Sequence, residues 1–200
     1  MLIVPKARSA RDVWWVDVLL TQLETKLGLH KRIALEVLIE ESEGLANAVE
    51  IAKASDRLEA IIFGAGDLSA SQRARVDGNF DPVSEYPGDF WHFARFQVVT
   101  AARAAGIDAI DAAYPAYKDP EGYRRSAVHA SLLGFDGKWA IHPAQIPIAH
   151  EVFSPTDAEI ADARASIETY RRSEAEGVGA IGRDGRLVDA AHMRLAENTL

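Results

Sequence analysis

The 200-residue chain contains no cysteine. A disulfide framework, a thiolate nucleophile and a Cys-ligated metal centre are therefore excluded. Basic clusters are equally absent: 22 Lys and Arg face 30 Asp and Glu, leaving a formal charge of −8. That balance repels polyanions and anionic bilayers, so neither nucleic acid nor membrane is an expected partner. No apolar run nears the ~20 residues of a membrane span, and Met1 is not followed by a signal-peptide pattern. The expectation is a soluble, cytoplasmic chain. Short repeats and low-complexity tracts are missing too.

What is present is enough apolar matter for one substantial core, 48% of all residues. It is gathered into five short, nearly continuous runs: residues 1–5 (MLIVP), 34–40 (ALEVLIE), 60–64 (AIIFG), 107–115 (IDAIDAAYP) and 138–142 (KWAIH). Such runs suit parallel strands buried on both faces. Helical stretches separate them. Ser9 reads as the N-cap of a helix ending at Gly28, with Val13, Trp14, Val16, Leu20 and Leu23 on its apolar face. Residues 45–52 and 89–105 read as two more, the latter with an aromatic stripe (Phe90, Trp91, Phe93, Phe96) suited to core or interface. Asp119-Pro120 opens another that stops at Gly134. Between them, residues 69–88 carry Asp77-Gly78, Asp81-Pro82 and Pro87-Gly88 and read as one long loop.

Strands alternating with helices mean a parallel α/β fold, either an open sheet or a (β/α) barrel. A whole barrel takes about 250 residues, so five units suggest an incomplete one. Residues 1–153 are read as this partial (β/α) barrel, with a short helix at 144–152 near its end. Residues 154–176 form a C-terminal helix capped by Ser-Pro-Thr-Asp. Residues 177–200 follow as a glycine-containing hinge (GVGAIGRDG) and a terminal amphipathic helix from 187, suited to reach a neighbouring subunit.

Polar residues gather where strands end: Lys6, Glu40, Asp67, Tyr114 and His142. Barrel active sites form at those ends. Glu40 and Asp67 are one βα unit apart, and neighbouring parallel strands lie about 4.8 Å apart. Two acids so placed suit one Mg²⁺, which takes one or two carboxylates plus water or substrate oxygens; they equally suit helix caps. Glu36 shares the Glu40 face by strand alternation, whereas Glu43 falls in a first helical turn. Gly64, Ala65 and Gly66 let backbone N–H groups approach a substrate carboxylate, or simply make a tight turn.

Four segments, LIEESEG, RLEAIIFGAGDLSAS, GKWAIHPAQIPIAHEVFSP and DGRLVDAAHMRLAE, resemble the citrate-lyase-β/malyl-CoA-lyase branch of the HpcH/HpaI aldolase superfamily, in order over residues 2–198. The resemblance implies a (β/α)8 TIM-barrel family, a homo-oligomer (trimer or hexamer), and Mg²⁺, with Mn²⁺ as a substitute. It also implies cleavage of a 3-hydroxyacyl-CoA, of malyl-CoA or citramalyl-CoA type, to acetyl-CoA and a 2-oxo acid such as glyoxylate or pyruvate. On it, Glu40 and Asp67 are the metal ligands, and Asp189 the general acid/base at the acetyl-CoA methyl carbon. Asp189 suits a helix cap as well. His142 matches the family's IHP, with a backbone hydrogen bond as its other reading. Lys6 offers charge to a carboxylate or a CoA phosphate, or is paired within a network.

The resemblance implies a chain that starts at the family's fourth strand, without the first three and their substrate-holding arginine. The expectation is a truncated product, or one whose missing strands come from a partner. Two alternatives stay open: a CoA-independent class II 2-oxo acid aldolase, and a catalytically impaired paralogue that only assembles with a full-length partner.

Overall fold

The computed structural model describes residues 1–183 and 185–200. The glycine-rich hinge expected at 177–185 therefore lies partly outside the described residues. They fall into two compact units, Met1–Phe153 and Ser154–Leu200.

In the first unit the five apolar runs become five parallel strands: β1 (Leu2–Val4), β2 (Leu35–Ile39), β3 (Leu58–Phe63), β4 (Asp108–Asp111) and β5 (Gly137–Lys138). Their order in the sheet is the order in the chain, with β1 and β5 as edges. This is an open barrel wall. Alternation sorts its side chains. Val37, Ile39, Ile61 and Phe63 are fully buried in a core shared with Val13 and Leu20 of α1 (Ala10–Leu27), Ile51 of α3 (Ala48–Ala52) and Val98 of α5 (His92–Ala105). Glu36, Leu38 and Glu40 share the opposite face of β2. Helix ends follow their cap residues: Gly28 at φ +64 closes α1, and Asp119 accepts the Gly122 N–H at the start of α6 (Pro120–Leu133).

Several elements are shorter than expected, each for a physical reason. The helix read at 45–52 is two, α2 (Ser42–Ala46) and α3, broken at Asn47, whose side chain donates to the Arg8 carbonyl. Helix α4 (Ala65–Gln72) absorbs the start of the long loop, which begins only at Arg73, at φ +56. The short helix read at 144–152 is α7 (Ile146–Phe153), and the strand read at 138–142 ends at Lys138. Beyond it the buried Gln145 takes over: its Oε1 accepts the Ile141 N–H at 2.8 Å and its Nε2 donates to the Tyr114 carbonyl at 3.1 Å. A side-chain amide has replaced a ladder partner. The aromatic stripe is divided: Trp91 is buried edge-on to Phe63, while Phe93 and Phe96 are exposed.

Three buried cations, Arg57, Arg95 and Lys138, were not legible from the pattern. Arg57 ties β3 to α1 through Asp17, Thr21, Glu24 and the Ile33 carbonyl, and its guanidinium holds Glu24 at about 2. Asp111, fully buried at the end of β4, accepts from Arg95 Nε at 2.9 Å and from Lys138 Nζ at 2.6 Å.

The second unit has α8 (Asp157–Ala175), capped reciprocally by Thr156 and Glu159, and α9 (Ala190–Glu197). Strands β6 (Ile181–Arg183) and β7 (Arg186–Val188) pair antiparallel, so α9 starts three residues later than amphipathicity suggests. Its small core is Ala163, Ile167 and Ala196 with Met193 packed against them. Among the described residues, no helix is long and apolar enough to cross a membrane.

Candidate active site

The ends of β1, β2 and β3 bring three charged residues together. Glu40, directly after β2, is buried, and Asp67 lies in the first turn of α4, directly after β3. Lys6, just beyond β1, touches both: its backbone N–H donates to Glu40 Oε1 at 3.0 Å, and its Nζ lies 2.6 Å from Asp67 Oδ1. Lys6 adopts φ +52, a left-handed conformation rare for a residue with a side chain.

Glycines make the approach possible. The Gly64 N–H donates to the Ile39 carbonyl at 2.9 Å, locking β3 to β2 at the site. A Cβ on Gly64 would lie 2.6 Å from Glu40 Cβ and 3.2 Å from its Oε2. Gly64 itself sits at φ −114, open to any residue, so the glycine is there for space rather than for backbone freedom. Gly66 makes room for the ring of Phe80, whose Cζ would lie 2.9 Å from an added Cβ. Phe80, at φ +64, is pinned by the Trp91 indole, which donates to its carbonyl at 2.9 Å. Asp89 then accepts the Trp91 N–H and pairs with Arg95, linking this loop to the buried Asp111 cluster.

The electrostatics of the two acids diverge. Burial, reinforced by the nearby Asp67 charge, pushes the Glu40 carboxyl up, against the Lys6 N–H that lowers it. Asp67 goes the other way, because the Lys6 ammonium holds its carboxyl below the ordinary range. The environment thus pushes the two carboxyls in opposite directions, Glu40 up and Asp67 down.

Residues 1–143 match the sequence model of the HpcH/HpaI aldolase/citrate lyase family. The chain belongs to this family. The L-malyl-CoA/beta-methylmalyl-CoA lyase of Rhodobacter capsulatus is 42% identical over 205 residues, covering 98% of this chain and 64% of that protein. The chain therefore spans a little under two thirds of the length of this relative. CitE of Mycobacterium tuberculosis, solved in complex with magnesium, acetoacetate and coenzyme A, superposes with a TM-score of 0.70 at 30% identity, over 98% of this chain and 66% of that one. A citrate lyase from Burkholderia xenovorans LB400 superposes with a TM-score of 0.84 over 99% of this chain and 61% of that one; at 23% identity it speaks for the fold alone.

Within an HpcH/HpaI chain the donor set can be tested against a divalent ion. Among the described residues, no group of three or more His, Asp or Glu side chains could hold a metal, which disfavours a closed cage built of side chains. Two adjacent carboxylates, one exposed and one reached through the glycine gap, fit Mg²⁺, which completes its shell with water and substrate oxygens.

The other expected residues fall as follows. Ala65 and Gly66 open α4, where first-turn N–H groups lack helical partners. His142 is exposed, caps the 3-10 turn Pro143–Gln145 by accepting the Ala144 N–H at Nδ1, and stacks on Tyr117 at 5.1 Å. Glu43 lies in the first turn of α2. Asp189 belongs to the second unit and is the N-cap of α9. Its Oδ1 accepts the Ala191 and His192 N–H groups and lies 2.7 Å from His192 Nδ1. Sequence reasoning missed Phe80 and Arg95. A turn-rich loop followed by an aromatic stripe was the only local signal for either.

Gly64→Ala tests the gap. The extra methyl meets Glu40 Cβ, which has no rotamer by which to retreat, so a loss of about 1–3 kcal/mol is expected from overpacking. Thermal unfolding of the variant would show it, and an unchanged midpoint would refute the spatial role of this glycine.

Proposed function

We propose that this chain carries the metal-binding face of a CoA-thioester carbon–carbon lyase, cleaving a 3-hydroxyacyl-CoA of malyl-CoA or citramalyl-CoA type. The observation that carries the reading is the meeting of Glu40 and Asp67 at adjacent strand ends, in a chain 42% identical to a malyl-CoA lyase. Glu40 and Asp67 would hold Mg²⁺, or Mn²⁺ in its place. When bound, the ion supplies Lewis acidity to substrate oxygens.

The chain's own residues do the rest. The Ala65 and Gly66 N–H groups, at the positive end of α4, orient the oxo-acid carboxylate. The substrate hydroxyl gives its proton to solvent and its oxygen closes to the carbonyl of the 2-oxo acid, as the bond between that carbon and the thioester α-carbon breaks and its electron pair passes to the α-carbon. That carbon then takes a proton from Asp189 of a neighbouring subunit, giving acetyl-CoA beside glyoxylate or pyruvate. In the synthetic direction Asp189 removes the same proton. The functional form in this proposal is a homo-oligomer.

The purified chain is expected to release glyoxylate from malyl-CoA, or pyruvate from citramalyl-CoA, with EDTA abolishing release and added Mg²⁺ restoring it. Cleavage of free hydroxy-oxo acids without the thioester would instead favour a class II aldolase. Edge strand β1 exposes Leu2 and Ile3, 47% and 45% accessible, which favours a second reading in which a partner chain adds strands there. Silence of the folded chain alone, with activity recovered on mixing with a full-length relative, would establish that second reading.

A further inference from the structure

We propose that Lys6 is a displaceable counter-cation: its ammonium competes with the divalent ion for Asp67 and, once displaced, holds the carboxylate of the oxo acid. This rests on the reading that Glu40 and Asp67 are the metal ligands. Lys6 is fixed at its root and free at its tip. The root is held by the N–H bond to the buried Glu40, at a φ of +52 that lysine adopts only against a steric cost. The tip is an ammonium 2.6 Å from Asp67 Oδ1, with the two side chains 51% and 52% exposed. Exposed ion pairs of this kind are weak and exchange readily.

Charge arithmetic supports displacement. The Lys6 ammonium feels Asp67, Glu40 and Glu41, and Glu41 is partly answered by Arg8 at 3.6 Å. One ammonium therefore faces more negative charge than it cancels, and the surplus draws a dication. Two cations on one carboxylate oxygen repel each other, so an ion at Asp67 Oδ1 expels the ammonium. The lysine stem is flexible and its root stays at the site. The expelled charge is therefore kept beside any carboxylate that arrives with the ion. Metal and oxo acid become coupled ligands, the first preparing the second's anchor.

Calorimetric titration of the full chain with Mg²⁺ alone, then of the Mg²⁺-loaded chain with glyoxylate, tests this in wild type, Lys6→Met and Lys6→Arg. Lys6→Met is expected to bind Mg²⁺ up to about fivefold more tightly, the worth of an exposed ion pair that no longer competes. The same variant should bind glyoxylate several-fold more weakly, and Lys6→Arg should stay near wild type in both. A merely structural tie would not move the two affinities in opposite directions. Weaker or unchanged Mg²⁺ binding by a folded Lys6→Met chain would overturn the inference while leaving the metal site standing. Mg²⁺ binding that survives Asp67→Asn unchanged would overturn the metal reading and the inference together.

Discussion

Alanine at Asp111 is expected to destabilise the Met1–Phe153 unit by about 3–5 kcal/mol, the usual cost of stripping one partner from a buried charge cluster. Against a total stability of ~5–15 kcal/mol this is a large fraction. Asp111 has no exposed surface, and it pairs with two cations that are nearly as buried. Burial pushes its carboxyl up, but Lys138 and Arg95 together outweigh burial and hold it below the ordinary carboxylate value. Removing it leaves Lys138 with the Ala112 carbonyl, 2.6 Å away, and the face of the Tyr123 ring, and leaves Arg95 leaning on Asp89.

Urea unfolding would measure the loss, and a change under ~1 kcal/mol, the size of a surface pair, would refute the account. Asp111→Leu with Lys138→Met should recover much of it, since apolar groups of similar size often replace a buried pair at little cost. The pH dependence has a definite sign. A carboxyl lowered on folding contributes fully above its unfolded value of about 3.9 and loses that contribution as pH falls further. The Asp111 part of the stability is therefore present at neutral pH and disappears on strong acidification.

On the proposed function, and in whichever form is active, Glu40→Gln and Asp67→Asn should each lower Mg²⁺-dependent turnover by at least about 10²-fold, the scale of losing one preorganised electrostatic partner. Both substitutions keep shape, remove the charge and turn one acceptor oxygen into an NH2 donor. Glu40→Gln is nevertheless expected to leave the fold as stable as before, or more so. Burial and the Asp67 charge raise the Glu40 carboxyl, so ionised Glu40 works against folding, and its contribution fades as pH rises through the raised value. The Lys6 N–H can still donate to the glutamine oxygen. A metal ligand must be ionised, and burial with the Asp67 charge raises the Glu40 carboxyl beside Lys6 and Glu41, so affinity for the ion should increase with pH over the same range. Turnover near wild type in either variant would remove the ligand assignment.

The division between local and long-range information is visible residue by residue. Ser9 and Gly28, Asp119 and Gly134, and Thr156 with Glu159 mark helix ends through groups a few positions away, and apolar runs name their strands. That is enough for a parallel α/β wall with Glu40 and Asp67 one βα unit apart. Tertiary structure alone decided that the Lys6 N–H, 34 residues from Glu40, would reach its carboxylate, and that Lys138, 27 residues from Asp111, would be buried on it. It also decided that Gln145 would end β5 and that Phe80 would press on Gly66. Periodicity and caps act through the nearest turns of chain, so they are written locally. The partner of a long charged side chain is chosen by which strand ends meet in space, and by whether burial leaves it any alternative.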